Sequence, residues 1–295
     1  MRIRNKAYAK INLSLNVYNA SNGYHDLDSV VCTIDLYDEI IASKRKDDKI
    51  NLTMRGIGED VLSTTNNNAY KAAKLFKETF GVKGVDLKIV KHIPLAGGLG
   101  GSSADIAGVL NTMKELYDVE EDVKPLADKL GSDSGYLLTG GYARIRGRGE
   151  VVTPISSNLD FWVVLCYSEQ GVNTADCFKK YDENPTTEKP SNNDVLSTAI
   201  ENGDLLGVTK EIGNDLKEPA ISLCVEMKNN LQALKDLSPL SASVSGSGAT
   251  TFAIFETKEL ALWAADRLRR KGLNVEVVST IIPQNLKNRK KLFKN

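Results

Sequence analysis

The chain has 295 residues, 41% hydrophobic and 26% charged, a globular balance long enough for one large domain or two ordinary ones. Its 38 basic residues equal its 38 acidic ones, so it lacks the basic excess of a dedicated nucleic-acid binder. The opening MRIRNKAYAKINLSLNV has no apolar signal core, and no apolar run approaches the roughly 20 residues of a membrane helix; a soluble, cytoplasmic protein with no nucleic-acid or membrane partner is expected.

In chain order, Ile11, Leu13, Leu15 and Val17 alternate with Lys10, Asn12, Ser14 and Asn16, the period of a strand. Lys10 and Asn12 therefore point the same way, about 7 Å apart. Ser21 to Tyr24 reads as a turn, and a second strand is predicted from about Ser29 to Ile41. Ile50, Leu52 and Met54 suggest a third strand. Asn66 to Asn68 can cap a helix running to Phe80 and ended by Gly81, and Val85, Leu87 and Ile89 mark another strand. The stripe Ile106, Val109, Leu110, Met113 and Leu116 predicts a helix, and a short helix ends near Leu130. GGYARIRGRGE reads as a strand leaving a tight turn.

A second domain is expected from residue 155, opening on the apolar strand Phe161 to Tyr167. Asp182 to Asn193 reads as a long loop. Helices are predicted over 194–203, 205–217 and 225–236, then strands at 242–244 and 251–255, a helix over 259–271 and a strand over 274–281. This mixture is an α+β architecture in two domains, 1–154 and 155–295. The basic tail Lys287 to Lys294 reads as a solvated terminus. Cys32, Cys166, Cys177 and Cys224 form no C-x-x-C pair, which argues for reduced, buried thiols and against structural zinc.

The run Pro94-Leu95-Ala96-Gly97-Gly98-Leu99-Gly100-Gly101-Ser102-Ser103-Ala104-Asp105 lies between a predicted strand and a predicted helix. Glycines let a backbone approach a ligand closely, and a helix start offers unpaired N–H groups, so the run suits phosphates. Ser102 and Ser103 can cap the helix, donate to phosphate or ligate magnesium. No lysine follows as in a Walker A loop. On glycines alone, a tight turn plus helix cap is the competing reading.

The run resembles the P-x-x-x-G-L-x-x-S-S motif of the GHMP small-molecule kinases. Ala9-Lys10-Ile11-Asn12-Leu13 and Gly23-Tyr24-His25-Asp26, continuing into Thr33 to Leu36, resemble the branch acting on a cytidine diphosphate-linked polyol of non-mevalonate isoprenoid synthesis. Gly131-Ser132-Asp133, with Gly147-Arg148-Gly149-Glu150 after it, resembles that branch's catalytic-aspartate block. Ser245 to Thr250 resembles the family's third motif, and Asn67 to Leu75 is also similar to the family. The resemblance covers Ala7 to about Phe255. Ser102 stands where the branch commonly has glycine, and Ala104 where it often has serine. Ser134-Gly135-Tyr136 replaces a Val-Pro-Phe-like stretch.

The resemblance implies a domain like ribosomal protein S5 domain 2, then a ferredoxin-like domain, with the active site in the cleft between them. It implies ATP and Mg2+ as co-substrate and metal, with Pro94 to Ala104 on ATP and Ser103 on the metal. Asp133 would be the general base and Lys10 its neighbour, steadying the transferring phosphoryl group. Asn12, Tyr24, His25, Phe178, Ser245, Gly246 and Ser247 would bind substrate, with His25 on the cytosine edge and Phe178 stacked on its face. Asn67 would help complete the cleft. A monomer or weak homodimer is expected. Another GHMP kinase, or a silent binding protein on the same scaffold, is the alternative.

Overall fold

The structure is a computed structural model, and it describes residues 2–21, 24–58, 66–185 and 190–282. The basic tail, Gly23 and part of the 182–193 loop lie outside the described residues. The chain opens with strands β1 (Arg2–Asn12), β2 (Ser14–Ser21), β3 (Tyr24–Lys44) and β4 (Ile50–Gly56). Helix α1 (Asn68–Phe80), strand β5 (Val85–Lys91) and helix α2 (Gly101–Tyr117) follow, then the short helices α3 (Lys124–Asp128) and α4 (Ser134–Leu137). Next come β6 (Tyr142–Gly147), β7 (Val151–Ile155), β8 (Trp162–Tyr167), α5 (Thr174–Glu183), α6 (Asn193–Glu201), α7 (Leu205–Lys210) and β9 (Gly213–Asn214). The chain closes with α8 (Lys217–Leu223), α9 (Val225–Lys235), β10 (Ser241–Val244), β11 (Thr250–Phe255), α10 (Lys258–Arg270) and β12 (Asn274–Ser279).

Local chemistry explains most of these boundaries. Asn67 caps α1 by accepting the Ala69 N–H, and Gly81 ends it at φ 63°, a conformation glycine adopts without penalty. Two expectations fail. The segment 205–217 is not one helix: α7 ends at Lys210, and Gly213–Asn214 pairs with Ser14 and Leu15 as a short parallel strand. Pro219 lacks an N–H and clashes with the preceding turn, so it sits in the first turn of a new helix, α8. The loop expected from Asp182 starts two residues later, because α5 runs to Glu183 from a start where Asn173 accepts from both Ala175 and Asp176.

The chain divides into two compact units, neither of them a continuous stretch: residues 1–9, 36–95 and 100–139 form one, and 10–35, 96–99 and 140–295 the other. In the first unit, β4 runs parallel to β5, and β5 is antiparallel to the second half of β3, with Glu39 opposite Val90. Ala69, Ala72, Ala73 and Phe76 of α1 are buried, as is the predicted α2 stripe. Gly108 lets α2 approach closely, since a Cβ there would stand 2.8 Å from Ala7 Cβ and from Ile40.

In the second unit, β2 and β6 flank the first half of β3, both antiparallel to it, and β7 pairs with β6. A separate antiparallel sheet has the order β10-β11-β8-β12. Helices α9 and α10 cover one face of it, through Leu234, Ala261, Ala264, Ala265 and Leu268 against Val164, Cys166, Ala253 and Phe255. Strand, helix, strand, strand, helix, strand in that spatial order is the ferredoxin-like arrangement. The four cysteines are buried and unbridged.

Candidate active site

In the second unit, three of the recognised motifs meet. Alternation along β1 and β2 turns Lys10, Asn12, Ser14 and Asn16 to one side, yet this polar face is as buried as the apolar one. Such groups need partners, and they have them. Lys10 Nζ donates to Asn12 Oδ1 at 2.6 Å, and Asn12 Nδ2 donates to Ser29 Oγ at 2.8 Å. The Asn12 backbone N–H reaches Ser245 Oγ, which itself donates to the Gly98 carbonyl at 2.9 Å. The Lys10 N–H binds the Leu99 carbonyl. Burial pushes the Cys32 thiol well above its usual range, while the Lys10 charge nearby works the other way.

The glycine-rich run is shaped by these contacts. Ala96 and Gly97 present carbonyls to the N–H groups of Ala249 and Thr250. Gly98 (φ 74°) lies so close to the third motif that a Cβ would stand 2.1 Å from the Ser245 carbonyl oxygen. Gly246 faces Gly98 and Asn12 in turn, with its own Cβ position 3.3 Å from Asn12 Oδ1. Ser247 Oγ pairs with Thr174 Oγ1 at 3.0 Å. Asn214, which the sequence did not single out, donates to the Val244 and Gly246 carbonyls and holds this turn from below.

The run's remaining residues belong to the first unit. Gly100 is the N-cap of α2 at φ 72°, without a side-chain bond. Ser102 and Ser103 are thus inside the first turn and do not cap it, which corrects the sequence reading. Their hydroxyls are free for other work: Ser102 Oγ accepts from Asn68 Nδ2 at 2.9 Å. Ser103 Oγ lies beside the aspartate block, 3.1 Å from where a Gly131 Cβ would stand. Asp133, half-buried, precedes α4, and its carbonyl accepts the Leu137 N–H. Tyr136 is fully buried and anchors that turn despite its departure from the family pattern. Pro94 and Leu95 lead into the run, with the Leu95 side chain packed against Gly58.

Deeper in this unit, Lys91 is clamped between the carboxylates of Asp38 and Asp105, all three buried. Asp38 also accepts the His92 and Ile93 N–H groups. Burial pushes Asp105 up to about 7, with the Lys91 charge opposing and the Asp38 charge adding to the rise. Burial lowers Lys91, but its two carboxylates more than offset that and raise it. Only Asp105 of this trio falls in the run read from sequence.

Of the residues expected to read a cytosine, the structure gathers only some. The His25 ring stacks on Phe178 at 5.3 Å and 18°, with Tyr181 edge-on at 5.8 Å. Its Nδ1 meets the Tyr18 carbonyl and its Nε2 meets Asp182. The Tyr18 carbonyl can only accept, so Nδ1 carries a proton toward it, and Asp182 occupies the Nε2 edge. Phe178 also packs against the cluster of Leu15, Val17, Cys177 and Tyr181. Tyr24 does not join them: one residue earlier in β3, it points to the other face, under the Arg148 guanidinium at 4.3 Å.

Against known proteins, residues 67–143 match the GHMP kinase N-terminal domain model and 195–274 the C-terminal one. The chain is 34% identical to a 4-diphosphocytidyl-2-C-methyl-D-erythritol kinase of Clostridium beijerinckii, over 94% of this chain and 99% of that one. The chain belongs to this family of GHMP kinases. A Geobacillus kaustophilus member is 38% identical over 87% of this chain and 89% of its own. A crystal structure of a 4-(cytidine 5'-diphospho)-2C-methyl-D-erythritol kinase superposes with TM-score 0.80, at 27% identity, over 94% of this chain and 99% of that one. A homoserine kinase from Cytophaga hutchinsonii shares the fold, with TM-score 0.69 at 17% identity over 95% of each chain. The protein is accordingly a two-domain α+β kinase that uses ATP on a small molecule. Among the described residues no helix is long and apolar enough to cross a membrane.

Proposed function

We propose that the protein transfers the γ-phosphoryl group of ATP to the 2-hydroxyl of 4-diphosphocytidyl-2-C-methyl-D-erythritol, in non-mevalonate isoprenoid precursor synthesis. The observation that carries this reading is the knot of Lys10, Asn12, Gly98 and Ser245, where the opening strand, the glycine run and the third motif bind one another. Phosphoryl transfer asks a protein for positioning and charge more than for covalent chemistry. Asp133 takes the hydroxyl proton as that oxygen attacks the γ-phosphorus, and the bond to the β-phosphate oxygen breaks to release ADP. Lys10 supplies fixed positive charge for the transferring group, held in place by Asn12. The N–H groups of Gly97 to Ser103 and the Ser102 hydroxyl seat the phosphates, with Ala104 lining the run while its own N–H is held by the Gly100 carbonyl. Ser245, Gly246 and Ser247 shape the neighbouring wall.

Magnesium fits the residues present in a limited way. The described residues hold no group of three or more His, Cys, Asp or Glu placed for a metal. Mg2+ is satisfied by phosphate oxygens and water with one or two protein ligands, and the Ser103 hydroxyl, beside the Asp133 turn, is the oxygen offered here. When bound, the ion neutralises phosphate charge. His25 and Phe178 lie at the cytosine, the base taking the place of the exposed Asp182 carboxylate on His25 Nε2, with Asn12 on the ribose or phosphate side and Tyr24 at the border. The family matches fall on either side of residue 155, which supports domains 1–154 and 155–295. The enzyme works in the cytoplasm as a monomer or weak homodimer.

ADP release with Mg-ATP and 4-diphosphocytidyl-2-C-methyl-D-erythritol tests this reading. Wild type turns over, and Asp133→Asn loses roughly 10²–10⁴-fold in rate. ATP binding with no turnover of this substrate would move the assignment to another small molecule or to a binding role.

A further inference from the structure

The hydroxyl of Ser29 is a buried group that the proposed chemistry does not use and that the sequence reading passed over. It sits in β3, opposite Ile145 of β6, and is hidden from solvent with Asn12 and Ser14. Ser29 Oγ lies 2.8 Å from Asn12 Nδ2 and 2.5 Å from the Ser14 carbonyl oxygen. A serine hydroxyl has one proton. A carbonyl oxygen can only accept, so that proton goes to Ser14. A lone pair of Ser29 then faces Asn12, which must offer a donor. The Asn12 amide is thereby oriented: its nitrogen to Ser29, its oxygen to Lys10 Nζ at 2.6 Å. Turned over, it would set a carbonyl against the lone pairs of Ser29 and an NH2 against the Lys10 ammonium, two mismatches in a buried place.

The anchor beneath is fixed as well. Ser14 Oγ accepts the Val30 N–H and donates to Asn193 Oδ1 at 2.6 Å, while Asn193 Nδ2 donates to the Asp28 carbonyl. The hydroxyls of Ser14 and Ser29 have one proton each, and each proton has one acceptor that takes it.

We infer that Ser29 is a positioning residue for Lys10: by committing the Asn12 amide, it fixes the carbonyl oxygen that holds the Lys10 ammonium. The kinetic part of this inference rests on the kinase reading above, whereas its geometric part does not.

The test reads Lys10 directly. Protein carrying 15N-labelled lysine side chains gives a Lys10 ammonium resonance, assigned by its loss in Lys10→Arg. In Ser29→Ala this resonance moves, and in Ser29→Thr, which keeps the hydroxyl, it returns. In steady-state kinetics Ser29→Ala lowers kcat about tenfold with KM for ATP little changed, since one unmet buried donor is worth about a factor of ten or more. Combined with Asn12→Ala, the Ser29→Ala change costs nothing further, because the intermediary is gone. Ser29→Cys, which keeps the volume with a weaker hydrogen-bonding group, shows the same direction more mildly and serves if the alanine variant fails to fold. A Lys10 resonance unmoved in Ser29→Ala, or losses in kcat that add fully in the double variant, would overturn the inference. Wild type that turns over no substrate would defeat the kinase reading instead, and the resonance would still decide the role of Ser29.

Discussion

At Gly98 one added methyl group would meet two carbonyl oxygens at once. Its Cβ would lie 2.1 Å from that of Ser245 and 2.8 Å from that of Gly248, at a φ of 74° that side chains rarely adopt. Both atoms are backbone, so neither can step aside as the tip of a flexible side chain would. Gly98→Ala therefore displaces the glycine run from the third motif. We expect a raised KM for ATP and a stability loss of about 1–3 kcal/mol from strain, read by ATP titration and urea unfolding. An alanine variant with unchanged KM and midpoint would show that this close approach is not needed. The glycine was visible in the sequence, but its reason was not. The residues that demand it lie some 147 positions downstream, and only the tertiary fold brings them there. Ser29, Asn193 and Asn214 escaped notice for the same reason. Each is an ordinary polar residue locally, and its value lies in a partner that register supplies.

Among the elements, those whose signals are local were legible and those set by distant contacts were not. The caps Asn67 and Gly81 and the apolar stripe of α2 announce their helices without outside help. The strand β9 carries no such pattern and exists because the Leu13 and Leu15 carbonyls accept the N–H groups of Gly213 and Asp215. The buried Lys91 belongs to this second kind. From sequence it is one more charge at a strand end. In the fold it joins the end of β5 to α2 through Asp105, and to β3 through Asp38. Lys91→Met would leave two carboxylates facing each other without a cation. Removing one partner of a buried ionic cluster costs about 3–5 kcal/mol. Thermal unfolding of Lys91→Met should show a large drop in midpoint, and the triple change with Asp38→Asn and Asp105→Asn should recover part of it. A midpoint within a degree or two of wild type would mean the cluster contributes nothing to holding α2.

For the molecule as a whole, the formal net charge is zero near neutral pH, so general charge repulsion contributes little to its pH dependence there. What remains is local linkage. Asp47, held low at about 2 by its bonds to Arg45, is ionised across the neutral range and adds no slope to it. Asp105 differs, because burial raises it from an ordinary 3.8 to about 7. Between these values the folded protein holds a proton that the unfolded chain has released. Stability is a function of protons bound in the two states, and it falls with pH wherever the folded state binds more. The contribution of Asp105 is thus full below about pH 4 and is lost as pH rises through about 7. Among the described residues its Oδ1 has no hydrogen-bond donor to steady the charge that then appears. Urea unfolding at pH 5 and pH 8 should show wild type less stable at the higher pH. Asp105→Asn mimics the protonated acid, can still accept from Lys91 through its remaining oxygen, and should flatten that decline. If the slope between pH 5 and pH 8 is the same in both proteins, the Asp105 proton is not what the fold retains, and the cluster must carry its charges as a fully ionised trio.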